Sequence, residues 1–376
     1  MTTNNPSPFA HWMLREIYEQ PGTLSMTVDH YVRSDRFRAD PCASALAWLA
    51  SIQSKLVIAA SGSSRHAGLF AELLIEDLSG IAVDVEYASE YCYRSEKSLT
   101  DAAVMVISQS GETADTLAAL RKANLAGHAT LAITNVEDST MAREATASLP
   151  TLAGRERAIP ATKSFTAQLL NLYLLALMSA EVSGIDPAEL GVRLWEVAQL
   201  PAKIEKQLKG WDDAMREVAG HYRAAKNFLF LGRGLHYSIA REGALKLKES
   251  AYLHAEGYPS GELKHGPNAL VAEGTPLVMI ATVDRSDVDS QLRYEKVVQL
   301  MRDMRAQGAS VLAIANLGDD AVGKLASHTV YVEECREALL AICEVIPLQL
   351  LACWMAVNNG IDVDHPRNLT KAVLAE

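Results

Sequence analysis

The chain has 376 residues, of which 49% are hydrophobic and 22% charged, and a formal net charge of −11. That length holds two domains with separate cores, and the apolar-to-charged balance argues against a disordered chain. The acidic balance argues against a nucleic-acid surface but leaves room for a local anion site of backbone N–H groups and hydroxyls.

Five cysteines (Cys42, Cys92, Cys335, Cys343, Cys353) lack C-x-x-C spacing, which fits a reducing compartment and gives no zinc pattern. The start, MTTNNPSPFAHWMLREI, has neither the basic nor the apolar region of a secretory signal. The most apolar segment, Ala338 to Val357, is interrupted by Glu344, Pro347 and Gln349, so it reads as a buried helix and not a membrane span. A cytoplasmic protein is expected.

In chain order, HWMLREIYEQ predicts a helix stopped at Pro21-Gly22, and a second helix is expected from Pro41 to Ser51. Then an α/β pattern begins. LVIAA is a strand, Ser61-Gly62-Ser63-Ser64 a turn and HAGLFAELLIEDL a helix. AVMVIS, QSGET and ADTLAALRKANLAG repeat the unit, ATLAITN and SLPTLAG add strands, and FTAQLLNLYLLALMSAEVSG is a long apolar helix. Residues 186 to 222 are amphipathic and helical. A second pass follows: NFLFLGRG, a helix, TPLVMIATVD, a helix from Ser290 to Gln307, SVLAIANLGD and HTVYVEE.

The passes align, KLVIAASGS with NFLFLGRGL and GHATLAITN with GASVLAIAN, which indicates an internal duplication. Strands alternating with helices give a parallel sheet covered on both faces. The expected fold is α/β: two doubly wound, flavodoxin-like domains. A helical arm (1–45) precedes a phosphate-binding domain (46–190), a connector (191–222), a second domain (223–360) and a tail (361–376).

Two turns of the first pass are rich in hydroxyls: Ser61 to Ser64, and Ser108-Gln109-Ser110-Gly111-Glu112-Thr113. Each leads from a strand into a helix, where such residues either cap the helix or present N–H and hydroxyl groups to an anion. Two of them on consecutive strands favour a shared phosphate crevice, since ligands of such sheets bind beyond the strands' carboxyl ends. Neither is a P-loop, and Gly232-Arg233-Gly234 lacks the third glycine of a dinucleotide fingerprint. No nucleotide is expected. Arg155 to Lys163, RERAIPATK, is a third, basic patch that is equally compatible with an ordinary surface loop.

Chemistry concentrates in EGALKLKESAYLHAEGYPSGELKHGP, from Glu242 to Pro267. Its first part predicts a helix, on which Glu242, Lys246 and Glu249 share one face at i, i+4 and i+7. A solvated ion-pair face is the bland alternative. Carboxylate, lysine and histidine converging by a strand end, with His265 in the following loop, is what proton transfer uses. The tail DHPRNLTKAVLAE carries Leu369, Val373 and Leu374 beside Lys371, apolar enough to dock, and a partly desolvated lysine can form a Schiff base with a ketose.

SGSSRHAG, ISQSGETADTLAAL, AGRERAIPATKSFTAQ, FLGRG, EGALKLKE, GELKHGP and DHPRNLTKAV run in this order through nearly the whole chain. Carrying them, the chain resembles the sugar isomerase (SIS) family, most nearly its double-SIS members with the isomerase domain of glucosamine-6-phosphate synthases. The resemblance implies that Ser63, Ser64, Ser108, Gln109, Ser110 and Thr113 hold a sugar phosphate, with Ile159 and Ala161 in the loop beside it. It implies that Glu249 moves a proton between C1 and C2 and that Glu242 and Lys246 orient substrate and tail. It further implies that His265 opens the sugar ring across a homodimer interface and that Lys371 forms the Schiff base.

Ser61 stands where the synthases usually have Cys, and the Ile159-Pro160-Ala161 loop departs from their small-residue version. A chain that begins Met-Thr-Thr leaves no room for a glutaminase domain, so the expected activity is isomerising deamination of glucosamine 6-phosphate to fructose 6-phosphate and ammonia. The alternatives are an isomerase subunit for glucosamine-6-phosphate synthesis, a fructosamine-6-phosphate deglycase and a phosphosugar-binding regulator. No metal or other cofactor is required by such proton transfer, and neither nucleic acid nor membrane is an expected partner.

Overall fold

A computed structural model describes residues 5–95 and 101–373. Helices α1 (Trp12–Tyr18) and α2 (Gln20–Tyr31) open the chain, and the short strands β1 (Val32–Arg33) and β2 (Arg36–Phe37) pair antiparallel before α3 (Ala39–Ala50). Pro21-Gly22 does not end a helix. It lies in the first turn of α2, where proline's missing N–H costs nothing.

The first α/β run is β3 (Lys55–Ala60), α4 (Gly62–Ser79), β4 (Ala82–Tyr87), α5 (Ala88–Tyr91), β5 (Ala102–Ser108), α6 (Ala114–Leu125), β6 (Thr130–Thr134), α7 (Thr140–Glu144), β7 (Ala147–Pro150) and α8 (Lys163–Val182). Helix α9 (Pro187–His221) follows, with Pro201 inside it. The second run is β8 (Asn227–Gly232), α10 (Leu235–Ala251), β9 (His254–Pro259), β10 (Pro276–Ala281), α11 (Val288–Ala306), β11 (Ser310–Asn316), α12 (Asp320–Leu325), β12 (His328–Val332) and α13 (Glu337–Asn358). Two 3-10 turns, Ser260–His265 and Pro267–Leu270, follow β9.

Each run builds a five-stranded, wholly parallel sheet. The orders are β4-β3-β5-β6-β7 and β9-β8-β10-β11-β12, one doubly wound topology used twice. The sequence pattern misses β4 and β9. Both are edge strands with few buried positions, and their apolar alternation is correspondingly weak.

The chain forms two compact units. One comprises Gln20–Glu156, Lys163–Pro201 and the described part of Thr370–Glu376; the other comprises the described part of Met1–Glu19, Arg157–Thr162 and Ala202–Leu369. In the first, Val57, Ala59, Val104 and Val106 meet Ala119 and Leu120 of α6 on one sheet face. In the second, Leu229, Leu231, Leu277 and Met279 meet Met301 and Met304 of α11.

On the other face of the second sheet lies α10. A methyl at Gly243 would come within 2.7 Å of Leu348 and 2.9 Å of Phe230, so this glycine weakens the helix locally but lets it settle on β8 and α13. Helices α8 and α13 are long and apolar enough to cross a membrane by length and composition, yet 89% and 94% of their apolar windows are buried within the fold.

Candidate functional site

Both hydroxyl turns belong to the first unit. β3 and β5 are neighbours in register, so the turns after them lie side by side at the carboxyl end of the sheet. Ser61 occupies the N-cap of α4 and Thr113 that of α6, yet neither side chain caps its helix. The hydroxyls are held otherwise: Ser108 Oγ lies 3.0 Å from Thr113 Oγ1 and accepts the Gly111 N–H at 3.2 Å, Ser110 Oγ accepts the Glu112 N–H at 3.2 Å, and Ser64 Oγ accepts Gln168 Nε2 at 3.0 Å. The Gln109 carbonyl accepts the Asn135 N–H at 3.1 Å. Side-chain capping therefore does not explain these residues, and hydroxyls gathered at helix starts suit an anion.

Gly111 makes the second turn possible. Its φ is +66°, and a methyl there would fall 2.1 Å from Ser139 Oγ.

The tail returns to the same unit. Val373 accepts the Ala114 N–H at 3.0 Å, so the chain end crosses the start of α6, the helix that the second turn enters. Lys371 Nζ donates to Glu156 Oε2 at 2.5 Å, and Glu156 also accepts Ser164 N–H at 3.1 Å and Ser164 Oγ at 2.7 Å. Two of the side chains expected to dock the tail, Leu369 and Val373, are exposed, and the third, Leu374, lies outside the described residues. Glu156 went unremarked in the sequence, although it is the one carboxylate within its basic patch.

In the second unit, α10 brings Glu242, Lys246 and Glu249 together as the i, i+4, i+7 spacing predicts. Lys246 Nζ lies 3.3 Å from Glu242 Oε1 and 2.5 Å from Glu249 Oε2. Glu242 and Lys246 are buried, whereas the Glu249 side chain keeps 23% of its exposure. Burial alone would push the Lys246 ammonium down; the charges of Glu242 and Glu249, with their hydrogen bonds, outweigh it and hold it above its ordinary value. This face is no solvated ion-pair lattice but a buried mount for one partly exposed carboxylate.

His265 is not part of that cluster. β8 and β9 are parallel, with Asn227 opposite His254 and Gly232 opposite Pro259. Helix α10 runs back from the carboxyl end of β8, and Glu249 sits in its last turn, near the strands' starts. His265 lies beyond the end of β9. The fourteen helical steps from Leu235 to Glu249 span about 21 Å at about 1.5 Å each. The convergence of carboxylate, lysine and histidine at one strand end, expected from the sequence, therefore does not occur within one chain. The unrecognised strand β9 is the reason, because it carries His265 to the far end of the sheet.

Ile159 and Ala161 also fall in the second unit. Ile159 N–H donates to the Asp364 carbonyl at 3.0 Å, and buried Glu16 accepts the Ala158 N–H at 3.2 Å. Asp364 in turn accepts the N–H groups of Trp12 and Met13, each at 2.8 Å.

A third cluster carried no sequence signal. His236 Nδ1 lies 2.8 Å from Glu344 Oε2 and its Nε2 3.0 Å from Glu337 Oε1, while Arg293 Nε reaches Glu337 at 3.0 Å. Burial would lower His236, but the carboxylates of Glu344 and Glu337 raise it to about 10. Glu337, which burial would raise, is held down to about 2 by His236 and Arg293. Both ring nitrogens of His236 are thus taken by carboxylates.

A family profile described as the SIS domain matches residues 49–178 and again residues 221–359. The glutamine–fructose-6-phosphate aminotransferase (isomerizing) of Chlorobaculum tepidum is 41% identical over 370 residues, which is 98% of this chain and 59% of that protein. The chain thus spans 59% of the length of the curated relative. Among solved structures, the C-terminal domain of the glucosamine-fructose-6-phosphate aminotransferase of Francisella tularensis superposes with a TM-score of 0.88 at 32% identity, covering 97% of this chain and 100% of that one. A glucosamine-6-phosphate deaminase from Thermotoga maritima gives a TM-score of 0.71 at 25% identity, covering 96% and 99%.

Proposed function

We propose that this chain, which belongs to the SIS-domain family, is a sugar-phosphate aldose–ketose isomerase whose reaction is the isomerising deamination of glucosamine 6-phosphate to fructose 6-phosphate and ammonia. The observation that carries the proposal is the partly exposed Glu249 carboxylate fixed by buried Lys246 and Glu242. A general base must be held in place and still reach substrate, and this mount supplies both.

In the proposed sequence the turns of Ser63, Ser64, Ser108, Gln109, Ser110 and Thr113 bind the 6-phosphate, and Ile159 and Ala161 meet the sugar. His265 of a second copy assists ring opening. Glu249 then takes the proton from C2 of the open aldehyde, giving an enaminol, and returns it to C1, giving the 2-imine of the ketose. Water adds to that imine and ammonia leaves, so the ketone is restored without change of overall oxidation state. Lys371 holds the ketose as a Schiff base, releasing water as it forms and consuming water as it breaks. Separation of Glu249 from His265 along α10 supports a site shared between two copies.

A second reading is favoured by the names of the relatives: the same proton transfer run from fructose 6-phosphate and ammonia toward glucosamine 6-phosphate. One experiment addresses both. Supplied separately with glucosamine 6-phosphate, and with fructose 6-phosphate plus ammonium, the protein should release ammonia and ketose phosphate in equal amounts from the first. Turnover confined to the second mixture would favour synthesis, and no turnover of either would contradict an amino-sugar isomerase.

A further inference from the structure

The second sheet repeats the topology of the first, but its strand ends carry different chemistry. Where β3 is followed by Ser61 and Gly62, β8 closes on Gly232 and is followed by Arg233 and Gly234. The start of α11 is closed by the chain itself, because the Asp287 carboxylate accepts the N–H groups of Asp289 and Ser290. Arg293 is committed to Glu337. Arg233 is different.

Arg233 is half-buried, and among the described residues its guanidinium makes neither a hydrogen bond nor an ion pair; Nε is buried with no acceptor. Its Nη2 lies 3.1 Å from the position a methyl would take on Gly261, so the guanidinium rests on the backbone of the 3-10 turn Ser260–His265. Ser260, the first residue of that turn, is 1% exposed, and its hydroxyl is also without a partner. An unpaired half-buried cation and an unpaired buried hydroxyl are costly to keep empty, and consecutive placement around Gly261 makes a donor set without an acceptor. A planar guanidinium with an adjacent hydroxyl matches an oxyanion, a phosphate or a carboxylate.

We propose that Arg233 and Ser260 form a second oxyanion site, on the second sheet and separate from the hydroxyl turns of the first. Gly261 leaves room for the guanidinium to lie against the turn. A bound oxyanion would tie the end of β8 to the segment that carries His265, so occupancy of this site would order that loop.

The test uses the full chain with Ser110→Ala and Thr113→Val, which remove hydroxyls from the first unit's turn. Calorimetric titration with inorganic phosphate, and separately with acetate, at constant ionic strength set by chloride, should still show saturable binding of one anion. Phosphate alone would identify a phosphate site; both would identify a general oxyanion site. Adding Arg233→Gln should abolish that binding, Arg233→Lys should weaken it about tenfold or more, and Ser260→Ala should weaken it less than Arg233→Gln. Circular dichroism of each variant establishes folding. Absence of residual binding in the hydroxyl-turn variant, or binding unchanged by both Arg233 substitutions, would overturn the proposal. Neither result depends on turnover, so the isomerase assignment stands or falls separately.

Discussion

Lys371 Nζ sits 2.5 Å from Oε2 of Glu156, a carboxylate whose side chain is fully buried. The pair fixes a tail residue against the hydroxyl-turn unit and gives the lysine one defined position, the requirement for a nucleophile that must meet a carbonyl. Glu156→Gln keeps the shape and removes the charge. Loss of a charge-assisted hydrogen bond is expected to cost about 1.5–3 kcal/mol, seen in chemical unfolding. Limited proteolysis should cut the tail sooner in the variant, and an unchanged cleavage rate would show that the tail is held by other contacts.

Gly111 tests the proposed role of the Ser108–Thr113 turn in holding phosphate. Gly111→Ala places a side chain at φ +66° and into Ser139, so the Ser108–Thr113 geometry must shift. Sugar-phosphate affinity should fall at least about tenfold, equivalent to about 1.4 kcal/mol, as read by titration with fructose 6-phosphate. Wild-type affinity in a folded Gly111→Ala protein would remove this turn from phosphate binding.

His236, Glu337 and Glu344 predict a pH dependence of stability. His236 is raised from 6.5 to about 10 in the folded state, so its contribution is complete below about pH 6.5 and is lost as pH rises toward 10. Glu337 is lowered from 4.5 to about 2, so its contribution is complete above about pH 4.5 and is lost as pH falls toward 2. His236→Gln should destabilise by about 3–5 kcal/mol, because it leaves buried Glu344 without its cation, while Glu337 keeps Arg293. Urea unfolding across pH should show the wild-type advantage over His236→Gln shrinking above pH 6.5; a constant gap would mean that the imidazole is neutral in the fold.

If His265 serves a neighbouring copy, inactive Glu249→Gln and His265→Asn proteins should complement each other. Random exchange in a dimer makes half the molecules mixed, and each mixed molecule has one intact site, so about a quarter of wild-type activity should return. Activity no greater than the sum of the separate variants would place His265 outside a shared site.

Much of this was legible in the chain. Apolar runs such as LVIAA and AVMVIS mark central parallel strands because both their faces are buried, and the repeated pattern exposes the duplication. The i, i+4, i+7 spacing of Glu242, Lys246 and Glu249 survives intact because helix geometry is local. What was hidden depends on distant partners. β4 and β9 are edge strands without a strong period, and missing β9 displaced His265 by the length of a strand. His236 meets Glu337 and Glu344 across about a hundred residues of chain, a pairing no spacing announces.

The central claim is that Glu249 moves the proton between C2 and C1. Its most direct test is the rate of ammonia and fructose 6-phosphate release from glucosamine 6-phosphate by Glu249→Gln, with phosphosugar binding measured on the same preparation. Turnover should fall about 100-fold to 10,000-fold, the usual contribution of a positioned base, while binding stays within a few-fold of wild type. Wild-type turnover by Glu249→Gln would contradict the account.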